Sequence, residues 1–182
     1  MDGEDRLFAL FDDLEQQAEG MHLAEREAEV GELAVGEYAG VTLVARLHGA
    51  RGGSVSVRLS GGDVLLGRLV RVGADWLQLD DGSGVSWLVA TAAVTGVGGL
   101  ERRAVTEEAL PATARLSLRS ALRALSAARS DVVVRLLDGS RLEGVLGRVG
   151  QDFVEILGRR GDALGPAEAV PLRALLAVRE QW

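Results

Sequence analysis

The chain repeats itself. Residues 55–79 (VSVRLSGGDVLLGRLVRVGADWLQL) align without a gap on residues 132–156 (VVVRLLDGSRLEGVLGRVGQDFVEI), and 12 of the 25 positions are identical. The shared residues are Val, Leu, Gly, Arg and Asp, so both stretches carry the same strand and turn signals. An internal repeat limits the fold more than any other feature, because each copy must form the same small unit. That unit is β.

Val55, Val57 and Leu59 alternate with Ser56 and Arg58, the pattern of a half-buried strand. Gly61-Gly62-Asp63 turns the chain into a second strand around Leu65–Arg71, where Gly67 permits a sharp bend. After Gly73-Ala74-Asp75 come a third strand at Trp76–Leu79, a hairpin turn at Asp81-Gly82 and a fourth strand at Val85–Val89. A short turn at Thr91-Ala92-Ala93 leads to a fifth at Val94–Val97. Repeat 2 runs the same course: Val132–Leu136, the Asp138-Gly139 turn, Leu142–Val149 and Phe153–Leu157. A loop is expected over Gly158–Pro166, then strand at Ala169–Leu172, a turn at Arg173-Ala174-Leu175 and a last strand to Arg179. Trp76 and Phe153 each begin an alternating strand and are read as core plugs.

Helices are expected before each unit, at Val41–Ala50 and at Thr113–Arg129. Leu118, Leu122 and Leu125 form the buried stripe of the second. Arg115, Arg119 and Arg123 recur at i, i+4 and i+8 and make a basic face, either a phosphate-binding stripe or a solvated surface. The N-terminal arm has its own helical seam. Leu7, Phe11, Leu14, Ala18 and Met21 follow a/d spacing for about two heptads before Glu25 and Glu32 interrupt it. That seam either lies on the chain's own body or docks a partner or second copy. The domains expected are an acidic helical arm (1–40), a helix with the first β unit (41–103) and a helix with the second (104–182).

Charge divides along the same line. Residues 1–40 hold 12 acids and 2 bases, a net of −10, while residues 41–182 are net +3. An acidic arm on a nearly neutral body is unlike the strongly basic body of most nucleic-acid binders. Every base is Arg: there is no Lys, no Asn and one Ile (Ile156). Those three residues have AT-rich codons, so the bias points to a GC-rich bacterial genome rather than to phosphate recognition. With no Cys, disulfides and thiolate chemistry are excluded. No apolar run reaches 18 residues and the start (MDGEDRLF) is acidic, which predicts a soluble cytoplasmic protein without a membrane segment.

Catalytic signatures are missing. His22 and His48 sit in helical segments without ligand spacing and are read as surface or partly packed. No Gly-x-Ser-x-Gly elbow occurs, and the absence of Lys excludes a Gly-Lys-Ser/Thr phosphate loop. Asp80-Asp81 lacks the further acids of a calcium loop. Neither enzyme activity, cofactor nor metal is expected.

The segment Val132-x-Val134-x-Leu136-x-Asp138-Gly139-x-x-Leu142-x-Gly144-x-Leu146 resembles the first half of the Sm motif, and Val55–Leu69 is similar with Gly61-Gly62 at the turn. The chain as a whole is similar to two-repeat proteins of high-GC actinobacteria, some labelled Fis-type transcription regulators. No helix-turn-helix pair supports that label. The resemblance implies a mainly β protein with helices (α+β): two Sm-like, SH3-like five-stranded small barrels, each preceded by a helix, plus the acidic N-terminal helix. Sm-like proteins typically bind RNA and often form rings by pairing strand edges. The acid–aromatic pairs Asp75-Trp76 and Asp152-Phe153 match part of the family's RNA-contacting turn, but no Asn accompanies them. Arg173 is the base expected in the later turn, where repeat 1 has Thr91-Ala92-Ala93.

The function expected is a non-enzymatic scaffold or adaptor. It binds a protein partner, or forms a homo-oligomer, through barrel edges and through the seam of Leu7, Phe11, Leu14 and Met21. The alternative is an RNA- or DNA-binding regulator using Arg115, Arg119, Arg123 and Arg173.

Overall fold

A computed structural model describes residues 38–101, 103–106, 109–160 and 163–181. The seam Leu7, Phe11, Leu14 and Met21, together with His22, lies outside the described residues. Residues 42–182 form one compact unit holding both repeats.

In the larger unit, helix α1 (Leu43–Gly49) precedes strands β1 (Ser54–Leu59), β2 (Val64–Val72), β3 (Trp76–Asp80), β4 (Ser86–Ala90) and β5 (Val94–Gly98). Helix α2 (Leu118–Ala128) precedes β6 (Asp131–Leu136), β7 (Arg141–Val149), β8 (Phe153–Arg160), β9 (Ala163–Pro171) and β10 (Leu175–Gln181). A turn of 3₁₀ helix, Thr91–Ala93 or Leu172–Ala174, precedes the last strand of each set. Thr42 caps α1 by accepting from the Ala45 N–H, and Ser117 caps α2.

All ten strands belong to one antiparallel sheet, in the order β5-β1-β2-β3-β4-β10-β6-β7-β8-β9. The expected mainly β fold with helices is present, but as one open sheet in place of the expected two five-stranded small barrels. Neither set closes on itself: β4 pairs with β10 of the other set, while β5 and β9 end the sheet. The physical reason is that an unpaired edge is satisfied by the nearest complementary strand, and here each repeat supplies one to the other. The core follows the same logic. Leu59, Leu69, Leu77 and Val89 of the first set and Val132, Val134, Val154 and Leu175 of the second belong to one buried cluster.

The two sets nonetheless match in detail. Gly62 and Gly139 donate to the Leu59 and Leu136 carbonyls, both at positive φ. Gly73 and Gly150 donate to Trp76 and Phe153, and Thr91 and Leu172 to Asp75 and Asp152. The ladder shifts register after Leu69 in β2 and after Leu146 in β7, positions equivalent in the repeat. Such bulges bend the strands. The repeats differ most in the third hairpin. The described parts of the expected loop, 158–160 and 163–166, are instead strand, with Arg159 opposite Leu164 and Arg160 opposite Ala163. Pro166 fits there because β9 is an edge strand whose outer side has no ladder to complete.

Candidate interaction site: the repeat junction and the free edges

The junction joins the repeats through three register pairs, Val89 with Ala177, Leu88 with Val178 and Trp87 with Arg179. Above this short ladder, side chains reach across. The Arg135 guanidinium from β6 lies 4.4 Å from the centre of the Trp87 ring, and that of Arg179 lies 5.6 Å from it. Both distances suit attraction between a cation and an aromatic face. Arg135 Nη1 also donates to Asp63 Oδ2 at 2.7 Å, tying β6 to the β1–β2 turn. Trp87 is 7% exposed. Its environment combines a buried ring, two guanidiniums and a carboxylate from two repeats.

α2 completes the joint. Leu122 is fully buried and Ser126 Oγ donates to the Gly147 carbonyl at 2.6 Å, so the helix belongs by packing to repeat 2. Its approach is tied to repeat 1. Trp76 Nε1 and the Ala74 N–H both donate to the Leu116 carbonyl, and the Leu118 N–H donates to Asp75 Oδ1. Trp76 is therefore a buried plug that also anchors the connector, whereas Phe153 is half-buried. A cavity of about 570 Å³ lies between the Ala124–Ala128 side of α2 and Val72, Trp76 and Leu88 of repeat 1.

The predicted arginine face does not form as expected. α2 starts at Leu118, after the Ser117 cap, so Arg115 falls in a preceding 3₁₀ turn, Ala112–Arg115. Leu116 and Ser117 are extended between the two, and the Ser117 cap starts α2 afresh at Leu118. Arg119 donates to the Gln151 carbonyl at 3.4 Å. Arg123 is exposed on α2, and Arg173 is exposed in the 3₁₀ turn before β10. The structure brings Arg119 and Arg123 onto one helix and leaves Arg115 and Arg173 on separate turns.

Asp81 accepts from the Ser83 hydroxyl and N–H, and Asp138 does the same with Ser140. These bonds hold both carboxyls below their ordinary range. Both acids serve turns, and no cluster of three metal-binding groups occurs among the described residues. His48 departs from its reading as a surface or partly packed group. It is 6% exposed, and neither ring nitrogen has a hydrogen-bond partner. Burial, and then the nearby Arg51 charge, lower its pKa.

Trp87 and Arg135 were not singled out by sequence reasoning. Arg135 belongs to an ordinary alternating strand, and its role depends on which edge lies beside it. No described helix is long and apolar enough to cross a membrane. No protein-family model and no curated protein matches the chain.

Proposed function

We propose that this protein is a non-enzymatic scaffold of Sm-like type that associates by strand addition at its sheet edges. The supporting observation is the β4–β10 ladder: repeat units of this sequence already join edge to edge, and the same operation leaves β5 and β9 without a further strand among the described residues. Each free edge presents a row of backbone donors and acceptors, the usual template for an added strand. Gly96, Val97 and Gly98 on β5, and Ala167 and Ala169 on β9, have small side chains that let another backbone approach. The five-strand order β5-β1-β2-β3-β4, recurring as β10-β6-β7-β8-β9, and the 3₁₀ turn before each last strand support the Sm-like part of the reading.

The test is crosslinking of the full-length chain in cell lysate beside two edge variants, Val97→Glu and Ala169→Asp. Loss of the same crosslinked species in an edge variant supports the reading. Identical crosslinks in wild type and both variants refute it.

A further inference from the structure

We infer that the cavity beneath α2 is a binding site for a small aliphatic monocarboxylate, its carboxylate held by Arg71 and Arg51 and its tail lying over Leu88 and Val178. No residue of β5 or β9 lines this cavity, so the site is separate from the free edges.

The sheet supplies the floor. Register sets Arg71 opposite Gln78, Gln78 opposite Leu88, and Leu88 opposite Val178, so the four side chains stand in a row across β2, β3, β4 and β10. With neighbouring strands about 4.8 Å apart, the row spans roughly 14 Å. Its character changes along its length: Arg71 is exposed, Gln78 is half-buried, and Leu88 and Val178 are buried. α2 is the roof, but its own packing lies elsewhere. Leu122 is buried, and Ser126 bonds to the Gly147 carbonyl of β7. Over the row the helix presents Ala124 and Ala128, whose side chains are too short to fill the gap. The space left is about 570 Å³. Small-molecule sites commonly occupy about 300–1,000 Å³ and often lie where two units meet, as this one does.

The cationic groups gather at one end. Arg71 Nη1 donates to Gln78 Oε1 at 3.5 Å and Gln78 Nε2 to Ser86 Oγ at 2.6 Å, a chain that leaves most of the guanidinium N–H groups unused. The Gly52 N–H donates to the Leu69 carbonyl, which brings Arg51 beside β2, and Arg51 lines the same cavity. Neither arginine has a carboxylate within ion-pair distance among the described residues. Guanidinium forks beside an apolar floor suit a carboxylate, which accepts paired N–H bonds while its tail leaves water. Glu180 is the acid in the lining. It follows Val178 on the same face of β10, three strands from Arg71. Its charge opposes a second anion at the tail end, so the ligand is charged at one end only.

The experiment is a fluorescence titration of the full-length chain with dansyl-undecanoic acid, whose emission rises in an apolar site, beside the methyl ester of the same probe. Wild type is expected to bind the acid saturably and the ester about tenfold more weakly, for want of charge-assisted hydrogen bonds. Arg71→Gln should weaken the acid by a similar factor and leave the ester unchanged. Ala124→Trp, which fills the space under the roof, should weaken both. Decanoate should displace the probe better than sebacate, the dicarboxylate of the same length. Unchanged melting temperatures show that the variants are folded, and Arg71→Gln, at an exposed position, tests the head group even where Ala124→Trp fails to fold. The inference is overturned by a wild type without saturable binding or by equal affinity for acid and ester. It is overturned equally by a folded Arg71→Gln or Ala124→Trp that binds as wild type does, or by sebacate competing as well as decanoate.

Discussion

The guanidinium of Arg135 stacks on the ring of Trp87, and the two residues come from different repeats. The contact sits directly beside the three-pair ladder joining the two halves of the sheet. A ladder that short needs side-chain support, and this pair supplies a large buried surface together with a desolvated charge. Truncation of Trp87 to Ala is expected to cost about 3–5 kcal/mol, the range for a buried aromatic. A double-mutant cycle with Arg135→Met separates packing from cation–ring attraction, and a coupling of about 0.5–2 kcal/mol is expected. Denaturant unfolding of the four proteins measures it, and additive effects would show that the stacked geometry adds nothing beyond burial.

Asp63 holds the same guanidinium from the opposite repeat. The Arg135 side chain is 18% exposed and that of Asp63 45%, so the pair is screened on one side only. Arg135 Nε is buried without a hydrogen-bond partner, which leaves the Asp63 bond at Nη1 to compensate the charge together with the Trp87 ring. Asp63→Asn keeps an oxygen that can accept but removes the negative charge, and is expected to destabilise by about 1 kcal/mol, the difference between a charge-assisted and an ordinary hydrogen bond. Asp63→Asn in an Arg135→Met background should cost much less. Equal costs in the two backgrounds would show that Asp63 acts through the β1–β2 turn instead.

The fold was legible where the signal was local. Alternating Val and Leu marked β1 and β6, and the Gly-Gly and Asp-Gly pairs marked their turns, because side-chain alternation and positive φ are properties of a few adjacent residues. The helix preceding each unit was legible for the same reason. The β4–β10 pairing was not, since an edge strand and an interior strand of this kind read alike, and only the partner brought across 90 residues of chain decides between them. The extension of β8 to Arg160 and of β9 back to Ala163 was missed because Gly158, Gly165 and Pro166 are loop residues by local preference. Edge placement made them acceptable in strand. Arg135 and Trp87 belonged to this second class. Nothing in either strand marked them until the two strands were neighbours.

The bend glycines give a paired prediction across the repeat. A Cβ on Gly67 would lie 2.7 Å from the Asp80 carbonyl oxygen, and one on Gly144 would overlap the equivalent Leu157 carbonyl. Both neighbours are ladder backbone, which cannot swing aside as a flexible side chain could. Gly67→Ala and Gly144→Ala are each expected to destabilise by roughly 1–3 kcal/mol through overpacking, with Gly144→Ala the worse of the two. Gly96, where a Cβ would meet nothing closer than Arg58 Cβ at 4.0 Å, is the control, and Gly96→Ala should be close to neutral. Thermal melts of the three variants decide it. A Gly144→Ala protein as stable as wild type would mean that the close approach of β7 to β8 is not required.

His48 makes stability depend on pH in a stated direction. The ring is buried, unpartnered and near Arg51, and these conditions lower its folded pKa below the ordinary 6.5. The unfolded chain therefore binds the proton more readily than the folded one between the two values, and stability must fall as pH falls. The contribution is fully present above about pH 6.5 and is lost as pH drops through the lowered folded value. Asp81, Asp138 and Glu155 are lowered as well, by hydrogen bonds from Ser83, Ser140 and Arg148. Their contributions are lost further down, below the ordinary carboxylate range. His48→Leu keeps an apolar group of similar size and removes only the first of these losses. In urea unfolding, the variant is expected to lose less stability than wild type between pH 7.5 and pH 5.5 (values of about one unit either side of the free imidazole). Wild type and variant should fall in parallel at lower pH. Parallel curves over the whole range would show that the imidazole stays as easy to protonate in the folded protein as in the unfolded chain.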